Sequence, residues 1–165
     1  MTTELKVGDP APGFKATAIG GIYGAGQEVK LADFAGSTLV LYFYPKDDTP
    51  GCVAQACGVR DSWCEIQSKA MLFGVSVDST ESHEAFIKKH GLPFPLLSDP
   101  DHEIVDAYQV WVEKSMYGKK YMGTERTTYL IDPDQRIKAI LRKVKPADHV
   151  TQFLKVLGSN LPSRI

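Results

Sequence analysis

Long apolar runs are missing from this chain. Even its most continuous hydrophobic stretch, Leu39 to Tyr44, is a fraction of the ~20 residues that a helical membrane span requires. An excess of charge is missing too: 19 Lys and Arg stand against 20 Asp and Glu, a formal net charge of −1. That balance gives no electrostatic reason to bind nucleic acid or an anionic membrane. Cysteine is scarce, with three residues in 165. A small, odd count suits no disulfide-stapled secreted fold and leaves the thiols for catalysis, redox work or simple burial. The segment Met1-Thr2-Thr3-Glu4-Leu5-Lys6 holds neither an apolar leader core nor an Arg-rich amphipathic pattern, so a cytoplasmic setting is expected. No repeat, low-complexity tract or linker divides the sequence. One domain over residues 1–165, large enough for a real core, is expected.

What is there centres on Cys52. The buried-strand signal Leu39-Val40-Leu41-Tyr42-Phe43-Tyr44 stops at Pro45 and is followed by Lys46-Asp47-Asp48-Thr49-Pro50-Gly51-Cys52. Thr49 is a good N-cap, and Pro50 suits the first helical position, where no N–H is needed. Cys52 then becomes the third helical residue. Its sulfur lies near unpaired backbone donors and the positive end of the helix dipole, which favour the thiolate. The plainer reading is an ordinary buried cysteine.

The rest of the chain alternates. Residues 7–26 are rich in Gly, Ala and Pro and read as irregular, with room for a short hairpin; 28–31 reads as a short strand. Residues 53–70 read as one helix, 71–77 as a strand, and 80–90 as a helix capped by Ser79 or Thr80 and ended by Gly91. A short strand at 94–97 and a short helix at 102–108 follow. Segments 127–132 and 136–142 flank Pro133-Asp134-Gln135 as a hairpin. The last helix, 147–157, puts Val150, Phe153, Leu154 and Leu157 on one face. Early β-α-β-α alternation gives parallel pairing and the late hairpin gives antiparallel pairing. The expected fold is α/β: a thioredoxin-like central mixed β-sheet flanked by helices, with an N-terminal extension.

Cys57 stands five residues after Cys52. On an intact helix the two lie ~140° apart around the axis and ~7.5 Å along it. Their Cα atoms are then ~8 to 9 Å apart, beyond the ~7 Å reach of a disulfide. A bond between them therefore requires the first helical turn to unwind, which implies a folded reduced state and a locally unwound oxidised one. Divergent thiols also argue against zinc, and His83, His90, His102 and His149 show no ligand spacing. They read as surface or capping histidines, and no metal or other cofactor is expected. Cys64 reads as a buried or half-buried residue of the same helix, unable to reach either cysteine while that helix is intact.

Peroxide reduction fits such a site. An activated thiolate attacks the O–O bond, donors steady the leaving oxygen, and a nearby thiol condenses with the sulfenic acid. Cys52 and Cys57 suit the two thiol roles, and Thr49 lies one turn before Cys52. Arg126, at the start of a strand, could reach a central site or be a surface arginine. The competing readings are a disulfide carrier or redox-responsive binding protein, and a redox-inert interaction domain.

The motifs resemble a known family over nearly the whole chain. They are Val7-Gly8-Asp9-Pro10-Ala11-Pro12-Gly13-Phe14, Leu31-Ala32-Asp33-Phe34-Ala35-Gly36, Tyr42 through Cys52, Gln55-Ala56-Cys57, Arg60-Asp61, Gly74-Val75-Ser76, Leu97-Ser98-Asp99, 117–123 and Arg126-Thr127-Thr128-Tyr129-Leu130-Ile131-Asp132. Together they are similar to the peroxiredoxins, specifically the peroxiredoxin Q or bacterioferritin comigratory protein subfamily. The resemblance implies that Cys52 is the peroxidatic cysteine and that Thr49 and Arg126 orient peroxide. It implies that Pro45 shields the site, Gln55 supports it (many relatives carry Glu there), and Cys57 resolves. Some members place the resolver on the next helix, where this chain has His83. The implied substrates are hydrogen peroxide and alkyl hydroperoxides, the implied reductant thioredoxin or glutaredoxin, and the implied form a monomer. The motifs of overoxidation-sensitive relatives are absent, which implies tolerance of high peroxide. Cys64 and a long segment at 19–27 depart from the family pattern.

Overall fold

The computed structural model describes residues 4–159, so the first three residues of the N-terminal reading lie outside it. The strands are β1 (Lys15–Ile19), β2 (Gln27–Lys30), β3 (Leu39–Phe43), β4 (Met71–Ser76), β5 (Leu96–Ser98), β6 (Trp111–Met116), β7 (Lys119–Thr124), β8 (Thr127–Ile131) and β9 (Ile137–Leu141). The helices are α1 (Pro50–Asp61), α2 (Trp63–Gln67), α3 (Thr80–His90), α4 (Glu103–Ala107) and α5 (His149–Ser159). Seven strands form one sheet in the order β2-β1-β5-β4-β3-β8-β9. β3, β4 and β5 run parallel; β8 lies antiparallel to β3, and β1 to β5. This is the expected mixed sheet.

β3 is buried on both sides, which is why its residues read as unbroken apolar sequence rather than alternation. Val40, Tyr42 and Tyr44 face a core layer with Cys52, Ala56 and Val59 of α1, Ile66 of α2, Phe86 of α3 and Phe153 of α5. Leu39, Leu41 and Phe43 face the opposite layer, with Phe34, Phe73, Ile104, Val105, Tyr108 and Tyr129. Each fully buried large side chain contributes roughly 1.5–3 kcal/mol of apolar transfer energy. Gly74 of β4 makes room for one of them: a Cβ there would lie 2.9 Å from Tyr42 Cζ and 2.7 Å from Leu96 Cδ2.

Local signals hold where their chemistry is strong. Ser79 caps α3 by accepting from the Ser82 N–H at 3.1 Å, and Gly91 ends it at φ 60°. The β8–β9 hairpin forms as expected. Other expectations shift. The segment at 7–26 contains β1, which pairs with β2, and the strand expected at 94–97 lies at Leu96–Ser98. The single helix expected over 53–70 is broken at Ser62, whose φ of −108° leaves the helical region and whose N–H is shared between the Gly58 and Val59 carbonyls. Serine competes poorly for helix interiors. Beyond the break, the Trp63 ring packs at 5.8 Å from Phe94 and Ile66 enters the core. Cys64 therefore belongs to α2 and is exposed, not buried or half-buried on one long helix.

The β6–β7 hairpin was not expected. Its turn residues, Tyr117 at φ 52° and Gly118 at φ 79°, both take the left-handed conformation that a two-residue hairpin turn demands.

Candidate active site

The loop after β3 turns back on itself before entering α1. Asp48 has φ 61°, a strained value for a non-glycine, and is held there by Lys89 Nζ at 2.7 Å and His90 Nε2 at 3.0 Å. Thr49 is extended, and its carbonyl accepts from the Val53 N–H at 2.8 Å, so it stands at the N-cap as expected. Its side chain does not cap the helix. The hydroxyl donates to the Lys46 carbonyl at 2.9 Å instead, which orients its lone pairs for another donor. Pro50 occupies the first helical position, and Cys52 is the third residue.

Cys52 is 1% exposed. Arg126, from the residue before β8, donates through Nη1 to Cys52 Sγ at 3.4 Å and to Gln55 Oε1 at 2.7 Å. The arginine thus joins the thiol rather than lying on the surface. Gln55, one turn beyond Cys52, is fully buried, and its oxygen fixes the guanidinium. A hydrogen-bond donor and a full positive charge thus stand directly at the sulfur. Arg126 is tied down from the backbone side as well, its carbonyl accepting from Val144 N–H at 2.8 Å. Pro45 is half-buried at the start of the loop.

Gly51 permits this arrangement. A Cβ there would sit 2.9 Å from Arg126 Nη2 and 3.4 Å from Pro146 Cγ. In Gly51→Ala the guanidinium must retreat while the helix remains. The expected result is a peroxide rate about tenfold lower by rapid mixing, with unchanged helical circular dichroism. An unaltered rate would mean that the close approach of helix and arginine does not matter.

Cys57 is half-buried in the middle of α1. Cys52, Cys57 and Cys64 are all free thiols, and α1 runs unbroken through the first two. The helix in this form holds Cys52 and Cys57 apart, as the five-residue spacing requires.

The histidines overturn the surface reading in part: His83 and His149 are fully buried. His149 opens α5, meets Thr128 Oγ1 at 2.8 Å and packs its ring 5.1 Å from that of Tyr42. Burial first, and the Arg126 charge second, push its pKa down to about 3. Burial, followed by the charge of Cys52, pushes the Tyr42 phenol well up. Tyr42 OH, Gln55 Nε2 and His149 Nδ1 are buried without a hydrogen-bond partner. The consequence for pH is direct. An unfolded histidine binds its proton below about pH 6.5, whereas folded His149 resists until about pH 3. The unfolded state therefore binds more protons across that window, and stability falls as pH drops through it. Chemical denaturation of His149→Gln beside the parent should show an acid loss smaller by a few kcal/mol. Parallel losses in both proteins would contradict the assignment.

Among the described residues, one group of side chains brings metal-ligand atoms together: Asp47, Asp78 and His83, within 4.8 Å of one another. Their atoms are already engaged with each other or with Tyr44, Ser76, Ser82 and the Leu97 carbonyl, so the group reads as a hydrogen-bonded cluster.

A parallel β3–β4–β5 core, a cysteine in the first turn of the helix after β3, and an arginine reaching its sulfur from a neighbouring strand define a thiol peroxidase built on the thioredoxin-like fold. Comparison with known proteins agrees. The AhpC/TSA family matches residues 7–140. Peroxiredoxin Bcp of Bacillus subtilis is 50% identical over 135 residues, covering 80% of this chain and 85% of the relative. A putative peroxiredoxin bcp of Coxiella burnetii is 45% identical, covering 92% and 97%. Among solved structures, a variant of Xylella fastidiosa PrxQ superposes with a TM-score of 0.86 at 33% identity, covering 96% and 98%. Xanthomonas campestris peroxiredoxin Q gives 0.82 at 38%, covering 89% and 90%. The chain belongs to the AhpC/TSA family, in its peroxiredoxin Q/Bcp group, and is a thiol-dependent peroxidase.

Proposed function

We propose that Cys52 is the peroxidatic cysteine, assisted by Thr49 and Arg126, and that Cys57 resolves it. The single observation behind this reading is the Arg126 Nη1 contact with Cys52 Sγ at 3.4 Å. The Cys52 thiolate attacks one peroxide oxygen, the O–O bond breaks, and sulfur becomes a sulfenic acid. The leaving oxygen departs as hydroxide or alkoxide and takes up a proton to become water or alcohol. Arg126 stabilises its charge while the Thr49 hydroxyl orients the incoming peroxide. Pro45 screens the thiol from water, and Gln55 holds Arg126 on target. The first turn of α1 then unwinds, Cys57 sulfur attacks Cys52 sulfur, and water leaves as the disulfide forms.

Hydrogen peroxide and alkyl hydroperoxides are the substrates. A Xanthomonas campestris neighbour, 37% identical, was described for its alkyl peroxide reduction activity. An external dithiol protein, thioredoxin first and glutaredoxin second, returns both cysteines to thiols. The working form is a monomer in the cytoplasm, built as one domain over residues 1–165. No helix among the described residues is long and apolar enough to cross a membrane. Burial of Cys52 weighs against a disulfide carrier, whose attacking sulfur has to meet a disulfide on another protein.

The test is Cys57→Ser. One equivalent of peroxide should still oxidise Cys52 at the parent rate, but the product should stop at a sulfenic acid trapped by dimedone. Turnover with a dithiol reductant should collapse. Full turnover would assign resolution to Cys64 or to a thiol from outside.

A further inference from the structure

Asp47, two residues before Thr49, is 7% exposed, and His83 of α3 is fully buried. The hydrogen-bond pattern fixes a proton between them. His83 Nε2 lies 2.8 Å from the Leu97 carbonyl oxygen, which can only accept, so Nε2 carries a hydrogen. His83 Nδ1 lies 2.7 Å from Asp47 Oδ2. In a neutral ring protonated at Nε2, Nδ1 presents a lone pair. An ionised carboxylate presents only lone pairs as well, and two acceptors at that distance repel. One further proton therefore sits in the pair, on the imidazole or on the carboxyl group.

The pair also ties down the loop. Asp47 Oδ1 accepts from Tyr44 OH at 2.6 Å, and Oδ2 accepts from Ser82 Oγ at 2.8 Å. The Asp47 N–H donates to Asp78 Oδ2 at 2.8 Å, which also takes Ser76 Oγ–H at 2.6 Å. One side chain and its amide thus join the ends of β3 and β4 to α3 and, through His83, to β5. This junction lies directly before the turn of α1 that has to unwind.

We propose that Asp47 and His83 form a proton-locked clamp on the Thr49 loop, and that the proton they share sets the balance between the folded peroxide site and the unwound state in which Cys52 meets Cys57. The proposal rests on the cysteine roles given above. Neither residue touches the reacting atoms; both are positioning residues. The clamped form needs the extra proton to join two acceptors, whereas an opened, hydrated pair does not, so opening releases it. Alkaline pH favours unwinding. The other titratable groups bonded to the pair are Tyr44, just after β3, and Asp78, after β4. Asp48, Lys89 and His90 cluster on the outer side of the loop. From β5 the Leu97 carbonyl contacts the pair.

Asp47→Asn makes the decisive variant. An asparagine amide N–H can donate to the Nδ1 lone pair of a neutral His83, so the clamp closes without the extra proton. The readout is the ratio of Cys52 sulfinic acid, made in the folded site, to Cys52–Cys57 disulfide, made in the unwound one. It is taken by mass spectrometry at fixed excess hydrogen peroxide from mildly acid to alkaline pH. At alkaline pH the parent ratio should fall about tenfold or more below that of Asp47→Asn, the loss of one charge-assisted bond. His102→Gln, which removes an imidazole that stacks on Trp111 rather than on this loop, should follow the parent. Nitrogen NMR of His83 in the unaltered protein checks the proton count, with carbon NMR of the Asp47 carboxyl group. Superimposable ratios would overturn the clamp. So would a neutral His83 beside an ionised Asp47 near neutrality. If peroxide leaves Cys52 unoxidised, the assignment of the cysteines fails instead, and NMR still decides the proton.

Discussion

In Cys52→Ser the second-order reaction with hydrogen peroxide should fall by at least about four orders of magnitude. The substitution changes one atom. A serine hydroxyl fits the space the thiol occupies beneath Arg126 and beside Gln55, so the fold and the peroxide pocket persist. Nucleophilicity is what goes, because a serine hydroxyl is far too weak an acid to ionise beside one guanidinium. Rapid mixing with intrinsic fluorescence measures the rate, with thermal melting to show that the fold is intact. Retention of even a hundredth of the parent rate would move the attack to Cys57 or Cys64 and dissolve the proposed division of roles.

Arg126→Met should be the next most damaging change, lowering the same rate by about 10²–10³. Arg126 would do two things at once: Nη1 serves both Cys52 Sγ and Gln55 Oε1, and in the proposed mechanism its charge lies where the leaving oxygen turns negative. Methionine fills similar space but supplies neither donor nor charge. It also strands the buried Gln55 amide oxygen, so a stability loss of roughly 1–3 kcal/mol should accompany the kinetic one. Arg126→Lys separates the two effects. A lysine restores a charge but lacks the planar fork that reaches both partners, and its rate should fall between the other two. A loss below about threefold in Arg126→Met would mean that the helix N-terminus alone activates the thiol.

How far the sequence announced this depends on the range of each signal. Thr49-Pro50-Gly51-Cys52 is a local message, written in cap chemistry and helix phase, and it read correctly down to the position of the thiol in the first turn. Ser79, Gly91 and Pro133-Asp134-Gln135 are local in the same way. Arg126 is not. It stands 74 residues from Cys52, and only the antiparallel pairing of β8 with β3 brings it to the sulfur. Residue chemistry left it open, and only the family resemblance singled it out. The buried histidines escaped because imidazole carries no positional signature: His83 and His149 owe their burial to partners supplied by distant elements. The break at Ser62 escaped because one serine is a weak disruptor, and the deciding contact, Trp63 against Phe94, is tertiary. The β6–β7 hairpin hid because most of its side chains face solvent, which erases the period-two pattern that marks half-buried strands.

On the proposed mechanism, that same interruption at Ser62 would make redox turnover a mechanical event with a boundary. The twelve-residue helix whose first turn unwinds in the proposed mechanism ends there, and the next segment is fastened separately by Ile66 and Trp63. Distortion entering at Cys52 would therefore meet a joint before it reaches α2, whose Ile66 is seated in the core. In the proposed cycle the strain of bending one thiol towards its partner would then stay within one short rod, and α2 would keep its seat.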